Sequence, residues 1–135
     1  MTDPDLATIA VDQFLPRPPA VVWRALTEPE LLARWWVPGD VAPVVGHRFT
    51  LDMPGWGKVP CTVVEVEPEA LLAFTFTESW TLVWRLVAEG TGTRLFLEHR
   101  GLDLDDPMGR VAFDNMGPGW RDHILPALAG VVADL

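Results

Sequence analysis

The sequence contains no tyrosine, a single cysteine and few basic side chains. Because Cys61 has no second cysteine to pair with, an internal disulfide is excluded, and the reducing cytoplasm is the expected location. Only 10 Lys and Arg residues stand against 19 Asp and Glu residues, which gives a net charge of −9. Binding to nucleic acid or to an anionic membrane needs clustered positive charge, so this balance argues against both partners.

Long apolar runs and metal-binding patterns are also missing. Residues 1–5 are acidic and precede no long apolar stretch, so neither a secretory signal nor a membrane anchor is expected. His47, His99 and His123 lack the short spacing of metal ligands. No glycine-rich loop follows a predicted strand in the manner of a phosphate-binding site. We therefore predict no metal and no cofactor.

What the sequence does contain is a large apolar and aromatic fraction. Of the 135 residues, 49% are hydrophobic, and seven are Trp and six Phe. This length and composition predict a single domain over residues 1–135 that forms its core without disulfides or metal. Seven tryptophans in so short a chain indicate either a strongly aromatic core or a cavity with aromatic walls.

The first third of the sequence predicts one strand and two short helices. Residues 7–15 have the pattern of a strand, which ends at a group of prolines. Pro18 and Pro19 suit the first turn of a helix over residues 20–26. Thr27 and Glu30 have the spacing of a capping box and predict a second helix over residues 28–36.

From residue 46 to residue 99, apolar side chains recur at every second position in five segments joined by short turns. This alternation predicts an antiparallel meander with one face toward a core. The predicted core-facing sets are Phe49, Leu51 and Met53; Thr62, Val64 and Val66; Leu72, Phe74 and Phe76; Trp80, Leu82, Trp84 and Leu86; and Leu95, Leu97 and His99.

The last third predicts an acidic loop with a short helix around residues 108–115, then an amphipathic helix from Pro118 to Leu135. Pro126 cannot donate a hydrogen bond to the Asp122 carbonyl, so a bend is expected there. Helices on one side of a sheet define an α+β fold. If the final helix crosses the concave face of a curved sheet, a cavity can remain between them.

Several short motifs occur in a fixed order along the chain: VWRALTEPEL at 22–31, WW at 35–36, GHRF at 46–49, EVEP at 65–68, GTRL at 92–95, HRG at 99–101 and GW at 119–120. In order and spacing they resemble the START-like (SRPBCC) superfamily. Within it, the family named after the C-terminal domain of the activator of the heat-shock-protein-90 ATPase is the most similar. The resemblance covers residues 9–135.

This resemblance implies a helix-grip fold, in which a curved antiparallel six-stranded sheet wraps around a long C-terminal helix, with two short helices between strands 1 and 2. It also implies a cavity that in various relatives receives lipids, sterols, hormones or polyketides. The family pattern includes no set of catalytic residues common to all members. Because 135 residues are the length of one domain, we expect no counterpart of the separate domain through which the eukaryotic activator engages its chaperone.

The predicted function is therefore the binding of a small hydrophobic ligand between the sheet and the C-terminal helix. The predicted wall consists of Phe49, Leu51, Phe76, Trp84 and Leu97 from the sheet and of Met116, Trp120 and Ile124 from the C-terminal region. His99 and Arg48 are the nearest polar candidates. The same residues at the same spacing would also form an ordinary core, and the sequence leaves this alternative open.

His99 has two interpretations. It is either a buried histidine with its hydrogen bonds satisfied, or a group that orients a ligand or transfers a proton. An acid–base role would make the chain resemble the polyketide cyclases and aromatases of the superfamily. A third hypothesis is a protein-interaction module that resembles the chaperone activator. A homodimer also stays open, because small antiparallel sheets often present a free edge.

Overall fold

The computed structural model describes residues 6–135, and the expectations for residues 1–5 lie outside this part of the chain. Its strands are β1 (Leu6–Leu15), β2 (Arg48–Met53), β3 (Gly57–Glu67), β4 (Leu71–Phe76), β5 (Trp80–Glu89) and β6 (Gly92–Asp103). Its helical segments are α1 (Pro19–Thr27), α2 (Pro29–Trp35), α3 (Pro107–Gly119), a π-helical turn (Trp120–Ile124) and α4 (Leu125–Ala133).

The strands form one curved antiparallel sheet in the order β1-β6-β5-β4-β3-β2. Strands β2 to β6 pair with their sequence neighbours, and β1 completes the sheet by pairing along β6. Alternate positions point into one core, because successive side chains of a strand face opposite sides. On β5 and β6 this alternation buries Leu82, Trp84, Leu86, Leu95, Leu97 and His99. The predicted meander and the α+β helix-grip architecture are thus confirmed.

Residues 107–133 form one uninterrupted helical segment of 27 residues, which we call the C-terminal helix. Its α3 part contacts β6 and β1, and its α4 part contacts β1, α1 and α2. Leu125, Leu128 and Val132 are buried, so this helix closes the core on the inner side of the sheet. No helix within residues 6–135 combines the length and the apolar character that spanning a bilayer would need.

The C-terminal helix begins earlier than the sequence predicts, at Pro107 rather than at Pro118. The Asp106 carboxylate caps its first turn by accepting the Gly109 amide at 3.3 Å. Gly119 and Trp120, expected to open the helix, therefore lie inside it. Packing of α3 against β6 and β1 offsets the low helix propensity of its glycines and of its internal proline.

Pro126 coincides with an irregular turn of this helix. The Leu125 amide donates to the Trp120 carbonyl oxygen five residues earlier, which is π-helical geometry. Pro126 has no amide hydrogen, and its ring crowds the Asp122 carbonyl, so a regular α-helical turn is unfavourable here. The irregularity that the sequence predicts as a bend thus takes the form of a π-helical turn.

The predicted capping box between Thr27 and Glu30 is wrong. Thr27 is the last residue of α1, and its hydroxyl donates to the Trp23 carbonyl oxygen at 2.7 Å. Helix α2 has Glu28 as its N-cap, without a side-chain capping bond. Threonine hydroxyls compete for nearby carbonyls in this way, so the sequence pattern alone does not define a cap.

The core-facing positions of β3 also differ from the simple alternation. Val59, Cys61 and Val63 are buried, whereas Val64, predicted to face the core, is 48% exposed. The register of pairing with β4 shifts between Val63 and Glu65. Such a bulge changes which side chains point inward, so counting every second residue through it assigns the wrong face.

The cap on the C-terminal helix gives a first prediction. Asp106→Ala is expected to lower the free energy of unfolding by about 1 kcal/mol, because the Gly109 amide loses its acceptor. Asp105→Ala is the matched control, since Asp105 is an exposed neighbour outside the cap. Urea denaturation of both variants measures the difference, and equal stability of the two would contradict the capping role.

Candidate functional site

Six aromatic side chains meet between the sheet and the C-terminal helix. They come from the end of α2, from three strands and from the π-helical turn, and we call them the aromatic cluster: Trp36, Phe76, Trp80, Trp84, His99 and Trp120. Four of them, Phe76, Trp84, His99 and Trp120, are buried, whereas Trp36 and Trp80 are partly exposed. The cluster therefore extends from the core to the surface.

Five of these rings form a closed circuit. Going round the circuit, the ring centroids are separated by 5.9 Å (Trp36 to Phe76), 6.1 Å (Phe76 to Trp80), 5.0 Å (Trp80 to His99), 6.2 Å (His99 to Trp120) and 5.1 Å (Trp120 to Trp36). These distances are those of aromatic rings in direct contact.

The sixth ring, that of Trp84, joins this circuit from the core. Its centroid lies 5.9 Å from that of Trp36 and 5.8 Å from that of Trp120. Trp35 packs edge-on against Trp84 at 5.6 Å and donates its indole N–H to the Ala25 carbonyl oxygen at 2.9 Å. The buried side of the cluster is thus anchored to the α1–α2 pair.

A hydrogen bond from Trp120 defines which nitrogen of the His99 ring carries the proton. The Trp120 indole N–H donates to His99 Nδ1 at 3.2 Å, and the imidazole is fully buried. An indole nitrogen is a donor only, so Nδ1 must carry the free lone pair. In the neutral ring the proton therefore lies on Nε2.

The surroundings of His99 keep this ring neutral. Burial lowers the pKa of His99 to about 4 from an ordinary value of 6.5. The rings that contact it are those of Phe76, Trp80 and Trp120, none of which carries the negative charge of a carboxylate. The imidazole is consequently uncharged over the physiological range of pH.

Three buried ring nitrogens of the cluster have no hydrogen-bond partner among the protein groups of residues 6–135: Trp36 Nε1, Trp84 Nε1 and His99 Nε2. All three are N–H donors, given the tautomer of His99. Buried polar groups in native proteins nearly always find a partner, and each exception calls for an explanation. Three exceptions within a single set of touching rings distinguish this cluster from an ordinary apolar core.

The structure brings together four of the nine predicted site residues, namely Phe76, Trp84, His99 and Trp120. The other predicted residues are distributed differently: Phe49, Leu51 and Leu97 are buried in the surrounding core, and Met116 and Ile124 pack against it. Phe49 contacts the rings of His47 and Phe74. Arg48 is exposed on the other face of β2, so it is not a polar group of this cluster.

Sequence reasoning missed Trp36 and Trp80 as members of the cluster. Trp80 shares its strand face with Trp84, four residues on, so strand alternation already contained this signal. Trp36 belongs to the apolar positions of the helix predicted over residues 28–36, but helical spacing does not give the direction of its ring. It is the C-cap of α2, with φ −132° and ψ −96°, and this non-helical backbone sets the direction of its ring.

Two surface depressions formed by the described residues lie away from the aromatic cluster. One, of about 330 Å³, is on the outer face of the sheet beside Val83 and Phe96. The other, of about 490 Å³, lies across β2, β3 and β4 beside Arg48 and Thr75. Within the cluster itself the rings touch, so a guest molecule between sheet and helix requires at least one ring to move.

Cys61 lies on β3 with a buried thiol, and burial raises its pKa to about 12. A thiol with so high a pKa is a poor nucleophile. Across residues 6–135, no three His, Cys, Asp or Glu side chains are grouped so that they could hold a metal ion.

The curved six-stranded sheet, closed by one long helix over an aromatic interior, defines a START-like helix-grip protein. The family model described as "Activator of Hsp90 ATPase homolog 1-like protein" matches residues 16–133. The chain belongs to this family. No curated protein matches the sequence.

Solved structures agree with this assignment. Protein MLL2253 from Mesorhizobium loti is 30% identical, with a TM-score of 0.84 over 95% of this chain and 98% of that one. Protein BH1534 from Bacillus halodurans is 28% identical, with a TM-score of 0.82 over 93% and 96%. DynU16, a protein of the dynemicin biosynthetic locus, shares the fold at 20% identity, with a TM-score of 0.77 over 93% of this chain and 47% of that chain.

Proposed function

We propose that this protein binds a small apolar or aromatic molecule between the sheet and the C-terminal helix, with the aromatic cluster as the binding surface. The observation that supports this most is the set of three buried N–H groups without partners, on Trp36, Trp84 and His99. A buried donor without an acceptor costs about 1–3 kcal/mol, so a ligand that supplies acceptors would recover part of this free energy. Ligand sites commonly combine apolar walls with a few such polar groups.

Access from solvent is the next requirement, and the partly exposed members of the cluster provide it. Trp36 follows the end of α2 and Trp80 begins β5, so neither ring is enclosed on all sides. A ligand would move these two rings aside and lie between them and the rings of Trp84 and Trp120, which are 1% exposed. Movement of side chains at a binding surface is common even where the backbone stays fixed.

The relatives give weaker support of the same kind. DynU16 is described as a protein of a biosynthetic locus for dynemicin, and its likeness to this chain lies in the fold alone. A fold shared with such a protein is compatible with a small-molecule ligand. Fold likeness does not by itself carry function, so the proposal rests on the cluster.

Ligand binding is expected to raise the melting temperature. A ligand at a hundred times its Kd adds about 2.7 kcal/mol to the free energy of unfolding, which in a domain of this size is a shift of roughly 10 °C. Differential scanning fluorimetry with lipids, flavonoids and polyketide-like aromatic compounds measures the shift. If no compound of a broad panel raises the melting temperature, the proposal fails.

A pair of variants then locates the site. Trp36→Ala is expected to abolish or strongly reduce the shift caused by a compound that stabilises the wild type, because the compound loses one wall of its site. Trp56→Ala is the matched control, since Trp56 is 68% exposed and lies in the β2–β3 turn. Equal loss in both variants, or no loss in either, would place the ligand elsewhere.

The cyclase-like alternative has less support from the cluster. A catalytic base needs a free lone pair, and the lone pair of His99 Nδ1 already accepts the Trp120 N–H. A catalytic acid needs a readily lost proton, whereas the pKa of about 4 leaves His99 without an imidazolium proton at neutral pH. Unchanged turnover of any identified substrate by His99→Ala would exclude this mechanism.

Three further expectations remain proposals. Co-chaperone activity would require a docking surface, and a pull-down with the chaperone tests it directly. A homodimer would use an end of the sheet, where β1 and β2 lie, and sedimentation equilibrium distinguishes a mass of 15.0 kDa from twice that value. A cytoplasmic location fits the free thiol of Cys61, and fractionation of cells tests it.

A further inference from the structure

The hydrogen-bonding character of the aromatic cluster restricts which ligands it accepts. The buried polar atoms of the cluster that lack a partner within residues 6–135 are two indole nitrogens and one imidazole nitrogen. Indoles only donate, and the bond from Trp120 to His99 Nδ1 leaves Nε2–H as the one free polar position of the imidazole. The cluster therefore offers three donors, and none of these three atoms is an acceptor.

We infer that the ligand of this site is a flat aromatic molecule that carries an uncharged acceptor oxygen, such as a ketone, quinone or lactone carbonyl. This inference rests on the proposed function and specifies its ligand class. The carbonyl oxygen would accept from one or more of the ring N–H groups of Trp36, Trp84 and His99, while the ring system of the ligand stacks on the indoles.

The cluster consists of uncharged rings, and this favours a ligand with a neutral carbonyl over a ligand with a carboxylate. The described ion pairs all lie at exposed or partly exposed side chains, and none of them includes a cluster residue. The low pKa of His99 is caused by burial, as expected for an imidazole among uncharged rings. A carboxylate buried here would lack a counter-charge, which makes it costly, whereas a neutral carbonyl has no such requirement.

Cationic ligands are the other class that aromatic rings can attract. A cage of tryptophans binds quaternary ammonium groups through the negative faces of the rings. In this cluster, however, the buried N–H groups carry partial positive charge and would repel a cation. A quaternary ammonium group also has no acceptor atom, so it could not form hydrogen bonds with these donors. We therefore place carbonyl-bearing aromatics ahead of cations.

Three tricyclic compounds of nearly equal size test this inference on the wild-type protein. In 9-fluorenone the central position is a carbonyl acceptor, in carbazole it is an N–H donor, and in fluorene it is neither. Isothermal titration or tryptophan fluorescence quenching gives the three affinities. Fluorenone is expected to bind about tenfold more tightly than fluorene, the size of one added hydrogen bond, and carbazole no more tightly than fluorene.

The results separate the two proposals. Equal affinity for all three compounds, or preference for carbazole, overturns the acceptor inference and leaves binding at the cluster intact. Binding of choline in preference to fluorenone overturns it as well. If neither the three tricyclic compounds nor choline binds, the acceptor inference is wrong. The wider panel of lipids and flavonoids then still decides the proposed function.

Nuclear magnetic resonance then shows which donors take part. With ¹⁵N-labelled protein, fluorenone is expected to move the ring N–H signal of Trp36, Trp84 or His99 downfield, as a new hydrogen bond does. The indole signals of Trp35, which already donates to Ala25, and of exposed Trp56 serve as controls. Preference for fluorenone without movement of any of the three signals would contradict the assignment of the donors.

Discussion

Replacing Trp84 by alanine is expected to lower the free energy of unfolding by about 3–5 kcal/mol, the range found for large aromatic side chains removed from a core. Trp84 is 1% exposed and contacts the rings of Trp35, Trp36 and Trp120, so its loss would remove the central support of the aromatic cluster. Guanidinium denaturation followed by circular dichroism measures the change.

Trp56→Ala is the control for this measurement. Trp56 is 68% exposed, so its replacement is expected to change stability by no more than about 0.5 kcal/mol. A loss below about 1 kcal/mol in Trp84→Ala would mean that the cluster is loosely packed and contributes little to the core. Such a result would contradict the ring contacts described above.

The second large effect concerns acid stability. In the folded protein the pKa of His99 is about 4, whereas an unfolded chain has the ordinary value of 6.5. Below pH 6.5 the unfolded state therefore binds a proton that the native state does not, and stability falls as the pH decreases toward 4. A difference of this size corresponds to about 3 kcal/mol.

His99→Gln removes the titrating group while keeping an oxygen that can accept the Trp120 N–H. The free energy of unfolding of this variant is expected to depend less on pH between 6.5 and 4 than that of the wild type. His123→Gln, at an exposed position in the π-helical turn, should retain the wild-type dependence. Equal slopes in the wild type and in His99→Gln would show that His99 is not buried as a neutral ring.

The sheet could be predicted from the sequence because its strands have an almost unbroken period of two. Leu82, Trp84 and Leu86 all face the core as the alternation requires. The prediction failed on β3, where the bulge between Val63 and Glu65 reverses the inward-facing positions. A bulge depends on pairing with a neighbouring strand, so alternation within one strand does not reveal it.

The helices show a similar limit. The sequence of α3 contains two interior glycines and Pro118, which individually oppose a helix, and yet packing against β1 and β6 makes the segment helical. Tertiary contacts commonly override local propensity in this way. The π-helical turn that follows orients Trp120 and cannot be derived from apolar spacing at three and four residues.

The candidate site was predictable only in part for the same reason. Phe76, Trp84, His99 and Trp120 were identified because strand and helix periodicity placed them inward. Trp36 depends on the point where α2 ends, and the tautomer of His99 depends on its contact with Trp120. The first feature is a local departure from helical backbone, and the second is a contact between elements distant in sequence. That contact also creates the donor-only character on which the ligand proposal rests.

A crystal structure of the protein grown with 9-fluorenone tests the central claim most directly. The claim predicts the ligand between the sheet and the C-terminal helix, stacked against Trp84 or Trp120, with its oxygen within hydrogen-bond distance of a ring N–H. It also predicts that the ring of Trp36 or Trp80 has moved. Fluorenone bound only in one of the outer depressions, with the six rings still in their present contacts, would contradict it.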